Sequence, residues 1–306
     1  MDKNQKEQLK AKIIKLYGLY KLQHSRIKRI IKAPFKTIPH FIIIAIAYIH
    51  PFKITYKTLW GDKMRFYLPE GNAIRYYGFF EANLTNFFIN FFKEGDIFID
   101  IGAHVGFYSK LVSKLVSERG KVHSFEPTPR TFESLKENLS PNKNATLNNN
   151  AVLNEEKEIE FADYGPKYSA FNSFKERKSK EMGFLSSPEI IRVKSINLDK
   201  YCASKNINPT LIKIDAEGAE YLILGGMTKI LEVNKPVVTI EVAGEDEWKD
   251  NCKKSIEILE SKKYLPFEIT LEGYLKKHKR QNTYLYDNLV FIHSEKLQNF
   301  KSLILE

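Results

Sequence analysis

Residues 95–127 read GDIFIDIGAHVGFYSKLVSKLVSERGKVHSFEP. Ile97 to Ile101 is a short apolar run ending in Asp100-Ile101-Gly102, the pattern of a strand buried on both faces. Gly102 and Gly106 bracket a tight turn. Phe107, Leu111 and Leu115 then recur every four residues, which predicts a helix. Arg119-Gly120 closes that helix, and Val122 to Phe125 begins a second strand ending at Glu126. The stretch is therefore one βαβ unit, with glycines at its first turn and a carboxylate at the end of its second strand.

The unit narrows the ligand. Glycines let a backbone approach a ligand closely, and the helix that follows offers free N–H groups. Glu126, twenty residues beyond Gly106, is placed to accept hydrogen bonds from ribose hydroxyls. A dinucleotide site would show G-x-G-x-x-G, with the pyrophosphate against the turn. Here the pattern is D-x-G-x-x-x-G, and Asp100 before the first glycine would repel a pyrophosphate. An acid there suits an ammonium. S-adenosyl-L-methionine carries an ammonium, a ribose and no phosphate, so it is the expected cofactor. Ala103, His104, Phe107 and Pro127 fall in the same turn and strand end and are expected to border it.

Working outward, Thr128-Pro129 starts a helix with Thr128 as N-cap, and Phe132, Leu135 and Leu139 form its buried stripe. A short strand is expected near 146–152, then β-like pieces at 158–161 and 191–195 around a polar loop, 164–187. A loop of that length is usually functional, and this one is placed to act as a substrate lid. Leu211 to Ile214 reads as a central strand ending at Asp215, followed by Glu217 and Glu220 and a helix from Gly218. Ligands in open α/β sheets bind outside the carboxyl ends of strands. Glu241 closes the next strand, so Asp215 and Glu241 can flank a substrate hydroxyl. Equally, Asp215, Glu217 and Glu220 can serve only the positive end of the helix. The segments 264–270 and 284–292 form a closing antiparallel pair.

Upstream, residues 53–68 alternate about Trp60-Gly61-Asp62-Lys63, predicting a hairpin, and Leu84 to Phe92 is an apolar helix. Glu81 can reach the cofactor's amino-acid end or cap that helix. Residues 1–36 hold eleven Lys and Arg against Asp2 and Glu7, so this segment carries +9 of the chain's net +11. Its apolar residues recur at helical spacing, which fits a basic amphipathic helix lying on an anionic membrane or a helix packed on the core. Phe41 to Ile49 is apolar but far short of the roughly twenty residues that span a bilayer. Two cysteines, Cys202 and Cys252, in a lysine-rich chain point to a reducing compartment, with no metal-ligand spacing. The expected organisation is a basic segment (1–36), a hairpin and helix extension (37–92) and a catalytic domain (93–306), cytoplasmic and peripheral at the inner membrane face.

GDIFIDIGAHVGFYS (95–109), FEP (125–127), KIDAEGAE (213–220) and PVVTIEV (236–242), in this order and spacing, resemble the FkbM family of S-adenosylmethionine-dependent methyltransferases over roughly residues 78–293. The family usually has Asn at His104 and Val at Ala216. The resemblance implies a Rossmann-like, seven-stranded, mostly parallel sheet (the class I methyltransferase fold) behind an N-terminal helical and hairpin extension. It also implies O-methylation of sugar or natural-product hydroxyls. Asp100, Gly102 and Glu126 match cofactor positions of the family, and Asp215 and Glu217 match its KIDVEGAE positions. In-line transfer to an alcohol mainly needs the oxygen and methyl carbon held in line. Asp215 is the first choice of base, then Glu241, then His104; Glu217 and Glu241 face the acceptor. Hard oxygen ligands on Asp215, Glu217 and Glu241 would suit Mg²⁺, although the spacing does not require it.

Rival functions fit less well. An RNA 2′-O-methyltransferase would use the basic arm, but the remaining 270 residues carry only +2, too little for a basic groove, so nucleic acid is not the expected partner. Base N-methylation needs an N/D-P-P-Y/F-type stretch where IDAEGAE stands, and C5 pyrimidine chemistry needs a well-placed cysteine. The non-enzymatic rival is a membrane-docked scaffold of the same fold. The expected acceptor is a small molecule or glycan with a free hydroxyl.

Overall fold

The computed structural model of the protein describes residues 1–174, 187–242, 249–281, 284 and 287–305. The chain opens with α1 (Lys3–Tyr20), α2 (Arg26–Lys32) and α3 (Pro34–Ile49). The hairpin β1 (Phe52–Lys57) and β2 (Lys63–Leu68) follows, then α4 (Asn72–Tyr77) and α5 (Ala82–Phe91). The βαβ unit is β3 (Ile97–Ile101), α6 (Phe107–Val116) and β4 (Lys121–Phe125), continued by α7 (Pro129–Leu139) and β5 (Ala145–Asn148). Three strands, β6 (Ala151–Val152), β7 (Glu158–Asp163) and β8 (Glu189–Ile196), form a separate small sheet. The remainder is α8 (Leu198–Lys205), β9 (Leu211–Ile214), α9 (Glu220–Gly225), β10 (Val237–Val242), α10 (Lys249–Ser261), β11 (Tyr264–Ile269), β12 (Leu275–Lys277) and β13 (Asp287–His293).

The main sheet has the order β12-β11-β13-β10-β9-β3-β4-β5. Strands β10, β9, β3, β4 and β5 are parallel neighbours, and β13 lies antiparallel between β10 and β11. This is the expected seven-stranded arrangement with one reversed strand. An eighth, three-residue strand, β12, is added at the edge by pairing with β11. From β3 the chain runs outward to β5 and then returns to β9 on the other side. That reversal leaves a crevice between the carboxyl ends of β3 and β9, where α/β sheets place ligands.

The N-terminus differs from a single basic helix. Asp2 and Gln5 form a capping box that starts α1, and Ser25 caps α2. Leu9 and Ile13 of α1 are buried in a core cluster shared with Phe88 of α5, Phe98 of β3 and Leu111 of α6. Lys6 Nζ donates to the Phe92 carbonyl at 2.6 Å. The apolar side of α1 thus belongs to the protein interior, so α1 cannot also lay that side on a membrane. Met64, Phe66 and Leu68 of the hairpin join the same cluster, so one core runs from the first helix into the sheet. Among the described residues, no helix is long and apolar enough to cross a membrane. Cys202 and Cys252 are buried free thiols, and burial pushes them up to about 12 and about 11, which disfavours the thiolate at both.

Candidate active site

The crevice is an open cleft of roughly 1340 Å³ up to its mouth, bordered by the ends of β3, β4 and β9 and by the segment 150–174. Its geometry begins with two glycines. Gly102 has φ +74°, and a Cβ there would lie 1.8 Å from the Asp215 carbonyl oxygen. Only glycine lets the turn after β3 pass so close to the end of β9. At Gly106, φ +86°, a Cβ would meet Leu135 of α7 at 2.7 Å, so this glycine seats α7 against the start of α6. Ala103, His104, Phe107, Glu126 and Pro127 all border the cleft, as the sequence predicts.

Glu126 is 6% exposed, and its two oxygens accept the N–H of His104 (3.0 Å) and of Thr128 (3.0 Å). Burial raises its pKa, while His104 and the two N–H groups pull it back. The Thr128 hydroxyl adds a third hydrogen bond, so of the carboxylate's roughly four acceptor sites one is left for a ligand. The Thr128 side chain does not cap α7; its hydroxyl accepts from Asn172 at 3.0 Å, tying the helix start to the segment that closes one side of the cleft. His104 adopts φ +51°, the left-handed region that Asn tolerates best among side-chain-bearing residues. Its Nε2 lies 2.6 Å from Glu70 Oε1 and 2.7 Å from Ser169 Oγ. Burial works against the imidazolium, but Glu70 and then Glu126 outweigh it and raise the pKa.

Lys213 lies in the cleft floor, 1% exposed, with Nζ 2.8 Å from Asp215 Oδ2 and 3.8 Å from Asp100 Oδ1. Burial opposes its charge, but Asp215 and Asp100 together raise its pKa well above the ordinary lysine value. Asp215 borders the cleft; burial opposes its ionisation, yet Lys213 and a hydrogen bond with Glu241 hold it below the usual carboxylate range. Glu241 moves the other way, pushed well up by burial and then by Asp215 and Glu217. The two shifts are opposed, so of the pair Asp215 gives up its proton first and Glu241 holds its proton more tightly.

Three expected site residues stand back from the cleft wall. Asp100 is 1% exposed beneath the floor; its Oδ2 accepts from Ser109 Oγ at 2.6 Å, and its buried Oδ1 has no hydrogen-bond partner among the described residues. Burial raises its pKa despite Lys213. Glu81 stands at the N-cap of α5 without capping it: Tyr108 OH donates to one of its oxygens (2.7 Å) and Asn288 Nδ2 to the other (2.6 Å). Glu241 sits behind Asp215 rather than on the wall. Asp100 and Glu81 are instead engaged with Ser109 and with Tyr108 and Asn288. Glu217 does border the cleft.

Glu220 caps the loop, its Oε1 accepting from Ala216 N–H (2.9 Å) and Gly218 N–H (3.2 Å). Glu220 thus takes up the helix-end role considered for the acids of KIDAEGAE, and α9 starts at Glu220 rather than Gly218. Asp215, Glu217 and Glu241 each bring a carboxylate oxygen within 4.8 Å of the others. Lys213 already pairs with Asp215, so a divalent ion on this trio would share that carboxylate with the ammonium. Of the expected lid, residues 175–186 lie outside the described residues; Ser169, Asn172 and Phe174 border the cleft. Glu70, Ser169 and Tyr108 were not foreseen from the sequence, since nothing near them in the chain marks them as site residues.

Residues 100–266 match the family model described as the methyltransferase FkbM domain. The hexuronic acid methyltransferase AglP of Haloferax volcanii is 29% identical over 157 residues, covering 50% of this chain and 59% of that protein. This chain thus spans well under two thirds of that relative's length. Among solved structures, methyltransferase FkbM from Methylobacillus flagellatus aligns with a TM-score of 0.44 at 15% identity, over 66% of this chain and 44% of that one. The O-methyltransferase TomG from Streptomyces achromogenes, solved with its S-adenosylmethionine, aligns at 0.41 and 10% identity, over 70% and 80%.

Proposed function

Because the chain belongs to the FkbM methyltransferase family, we propose that it methylates a sugar hydroxyl of a glycan, glycolipid or glycosylated product with S-adenosylmethionine as donor. The observation that carries this reading is the acid-rich floor of the cleft. Lys213 is the counter-charge of Asp215, with Asp100 and Glu81 close enough to act on it, so the floor meets a ligand with carboxyl groups and favours a cationic one over an anionic one. S-adenosylmethionine brings an ammonium and a sulfonium, and its sulfonium methyl is already activated for transfer. The glycine turn lets the backbone approach such a ligand closely, and Glu126, at the end of its strand, keeps an acceptor site that a ribose hydroxyl would fill in this reading.

In the transfer, the carbon–sulfur bond breaks as the carbon–oxygen bond forms, leaving a neutral thioether and an ether, and the hydroxyl proton must go to the protein. Asp215 receives it in this reading. Lys213 keeps Asp215 ionised and oriented, and Glu241 behind it donates a hydrogen bond to the carboxylate. An aspartate this acidic is a weak base before reaction, but the hydroxyl becomes strongly acidic as the methyl group arrives. His104 is the runner-up base; its hydrogen-bonding to Glu70 and Ser169 makes it the better candidate for positioning. The curated relative acts on a hexuronic acid, so uronic and neutral sugar acceptors both belong in the first screen.

The test is calorimetric titration of S-adenosylmethionine into wild type, Glu126→Ala and Asp215→Asn, followed by methyl transfer from labelled donor. Expected are saturable wild-type binding, weakening of at least tenfold (about 1.4 kcal/mol) in Glu126→Ala, and loss of transfer with retained binding in Asp215→Asn. Folded wild-type protein that binds no cofactor would remove the reading.

A further inference from the structure

Burial of α1 in the core leaves a different face of the N-terminus open. On α3, Phe35 (96% exposed), Ile38, Ile42, Ile46 and Ile49 are all exposed. At 100° per residue these five lie within an arc of about 80°. The opposite side of the same helix is buried: Thr37, His40 and Ala47 face the protein. On α2, Ile27 and Ile31 extend the apolar surface and are exposed by more than two thirds. The charges beside it have one sign. No Asp or Glu occurs from Gln8 to Gly61, whereas Arg26, Lys28, Lys32 and Lys36 are all exposed. Burial, then Arg75, Arg29 and Lys36, push His40 down to about 4, a further sign of how cationic this corner is.

We propose that the α2–α3 face is a docking surface for an anionic lipid bilayer, with Phe35, Ile38, Ile42, Ile46 and Ile49 entering the headgroup–acyl boundary and the neighbouring cations meeting lipid phosphates. An apolar stripe edged by Lys and Arg is the pattern of helices that lie in the membrane interface. A second copy of the chain is the poorer occupant, because a two-fold contact would set this acid-free cationic surface against itself. A nucleic acid would satisfy the cations but leave Phe35 and the isoleucines in water.

The face is one helix away from the cleft. Thr37 Oγ1 hydrogen-bonds Tyr76 OH at 2.6 Å and His40 Nδ1 meets Arg75 at 2.9 Å, both on α4. Glu70, Gly71, Ala73 and Ile74, at the start of α4, border the cleft. A docked protein therefore holds its cleft close to the membrane surface, which suits an acceptor sugar carried on a lipid. That consequence rests on the proposed sugar methylation; the docking does not.

The test is flotation of the full chain with phosphatidylcholine vesicles and with vesicles containing phosphatidylglycerol. The comparison set is wild type, Phe35→Ser/Ile42→Ser and Arg26→Glu/Lys28→Glu. All the changed side chains are exposed, and thermal melting together with S-adenosylmethionine titration verifies that each variant is folded. Expected are wild-type binding at least tenfold tighter to the anionic vesicles, a loss of at least tenfold in each double variant, and unchanged cofactor affinity. Absence of wild-type flotation, or equal flotation of Phe35→Ser/Ile42→Ser, would overturn the proposal. So would a concentration-dependent dimer in sedimentation that the same apolar variant abolishes. Failure of cofactor binding in wild type with flotation intact would strike the methylation reading and leave the docking face standing.

Discussion

Replacing Lys213 by Met keeps most of the side-chain volume and removes the ammonium from the cleft floor. Asp215 Oδ2 then loses a partner at 2.8 Å and Asp100 Oδ1 loses a cation at 3.8 Å. A unit pair about 4 Å apart is worth about 4 kcal/mol at an effective dielectric near 20, and breaking a buried pair from one side costs about 3–5 kcal/mol. The protein can limit this loss by protonating Asp215. From an ordinary carboxylate value near 3.8, that costs about 1.4 kcal/mol per pH unit, hence about 4 kcal/mol at pH 7 and about 1.6 kcal/mol at pH 5. In wild type the folded pKa of Asp215 is depressed, so its stabilisation is present above the unfolded value and fades as pH falls through the folded one. Urea denaturation of Lys213→Met should therefore show a deficit of about 4 kcal/mol at pH 7 that shrinks to less than half at pH 5. A deficit below about 1 kcal/mol at pH 7, or one equal at both pH values, would refute the account of Lys213 as the counter-charge of the floor.

Glu220 gives the opposite sign. Burial lifts it from 4.5 to about 7, so the folded state holds its proton through that window and stability falls as pH rises across it. Glu220→Gln, which keeps an acceptor for the Ala216 and Gly218 N–H groups, should remove up to about 3 kcal/mol of the decline between pH 5 and 8 in parallel denaturation curves. His104→Asn should be tolerated at φ +51°. Because Glu70 raises the folded pKa of His104, the ion pair stabilises fully below about 6.5 and is lost as pH rises through the folded value. The wild-type advantage over this variant should be largest near pH 6 and close under alkaline conditions. Gly102→Ala would set a Cβ 1.8 Å from a backbone oxygen; thermal and urea unfolding should report a loss of at least about 2 kcal/mol, with cofactor binding abolished in calorimetry.

The fold was legible where the signal is local. An Ile-rich run before D-x-G marks β3, Trp60-Gly61-Asp62-Lys63 marks the hairpin turn, and the four-residue repeat of Phe107, Leu111 and Leu115 marks α6. Three-residue β12 and two-residue β6 carry no readable periodicity; they exist because β11 and β8 supply partners. The site was legible only in part, for the same reason. Gly102, Glu126 and Asp215 lie at strand ends, which topology gathers at one crevice. The His104–Glu70 pair joins residues 34 apart in sequence, and His104–Ser169 joins residues 65 apart. Asp100 and Glu81 were expected at the ligand because their spacing to the glycine turn is right. Sequence spacing cannot tell which of two neighbouring acids faces the cleft and which faces Lys213.

The same limit explains the N-terminus. Net charge and helical spacing identify residues 1–36 as basic and amphipathic, but they do not say what covers the apolar side. In α1 that side is covered by α5 and the sheet, through Leu9 and Ile13. In α3 polar Thr37 and His40 are buried together with Ala47, matched by Tyr76 and Arg75; Ile43 and Ile44 pack partly on the core, while Phe35, Ile38, Ile42, Ile46 and Ile49 are exposed. The helix therefore leaves much of its apolar surface unused by the protein's own packing. Burying those polar groups costs stability unless each finds a partner, and both have found one on α4, the helix that also borders the cleft. In the proposed docking, Thr37–Tyr76 and His40–Arg75 are two hydrogen bonds that connect the exposed helix to α4, whose start borders the cleft.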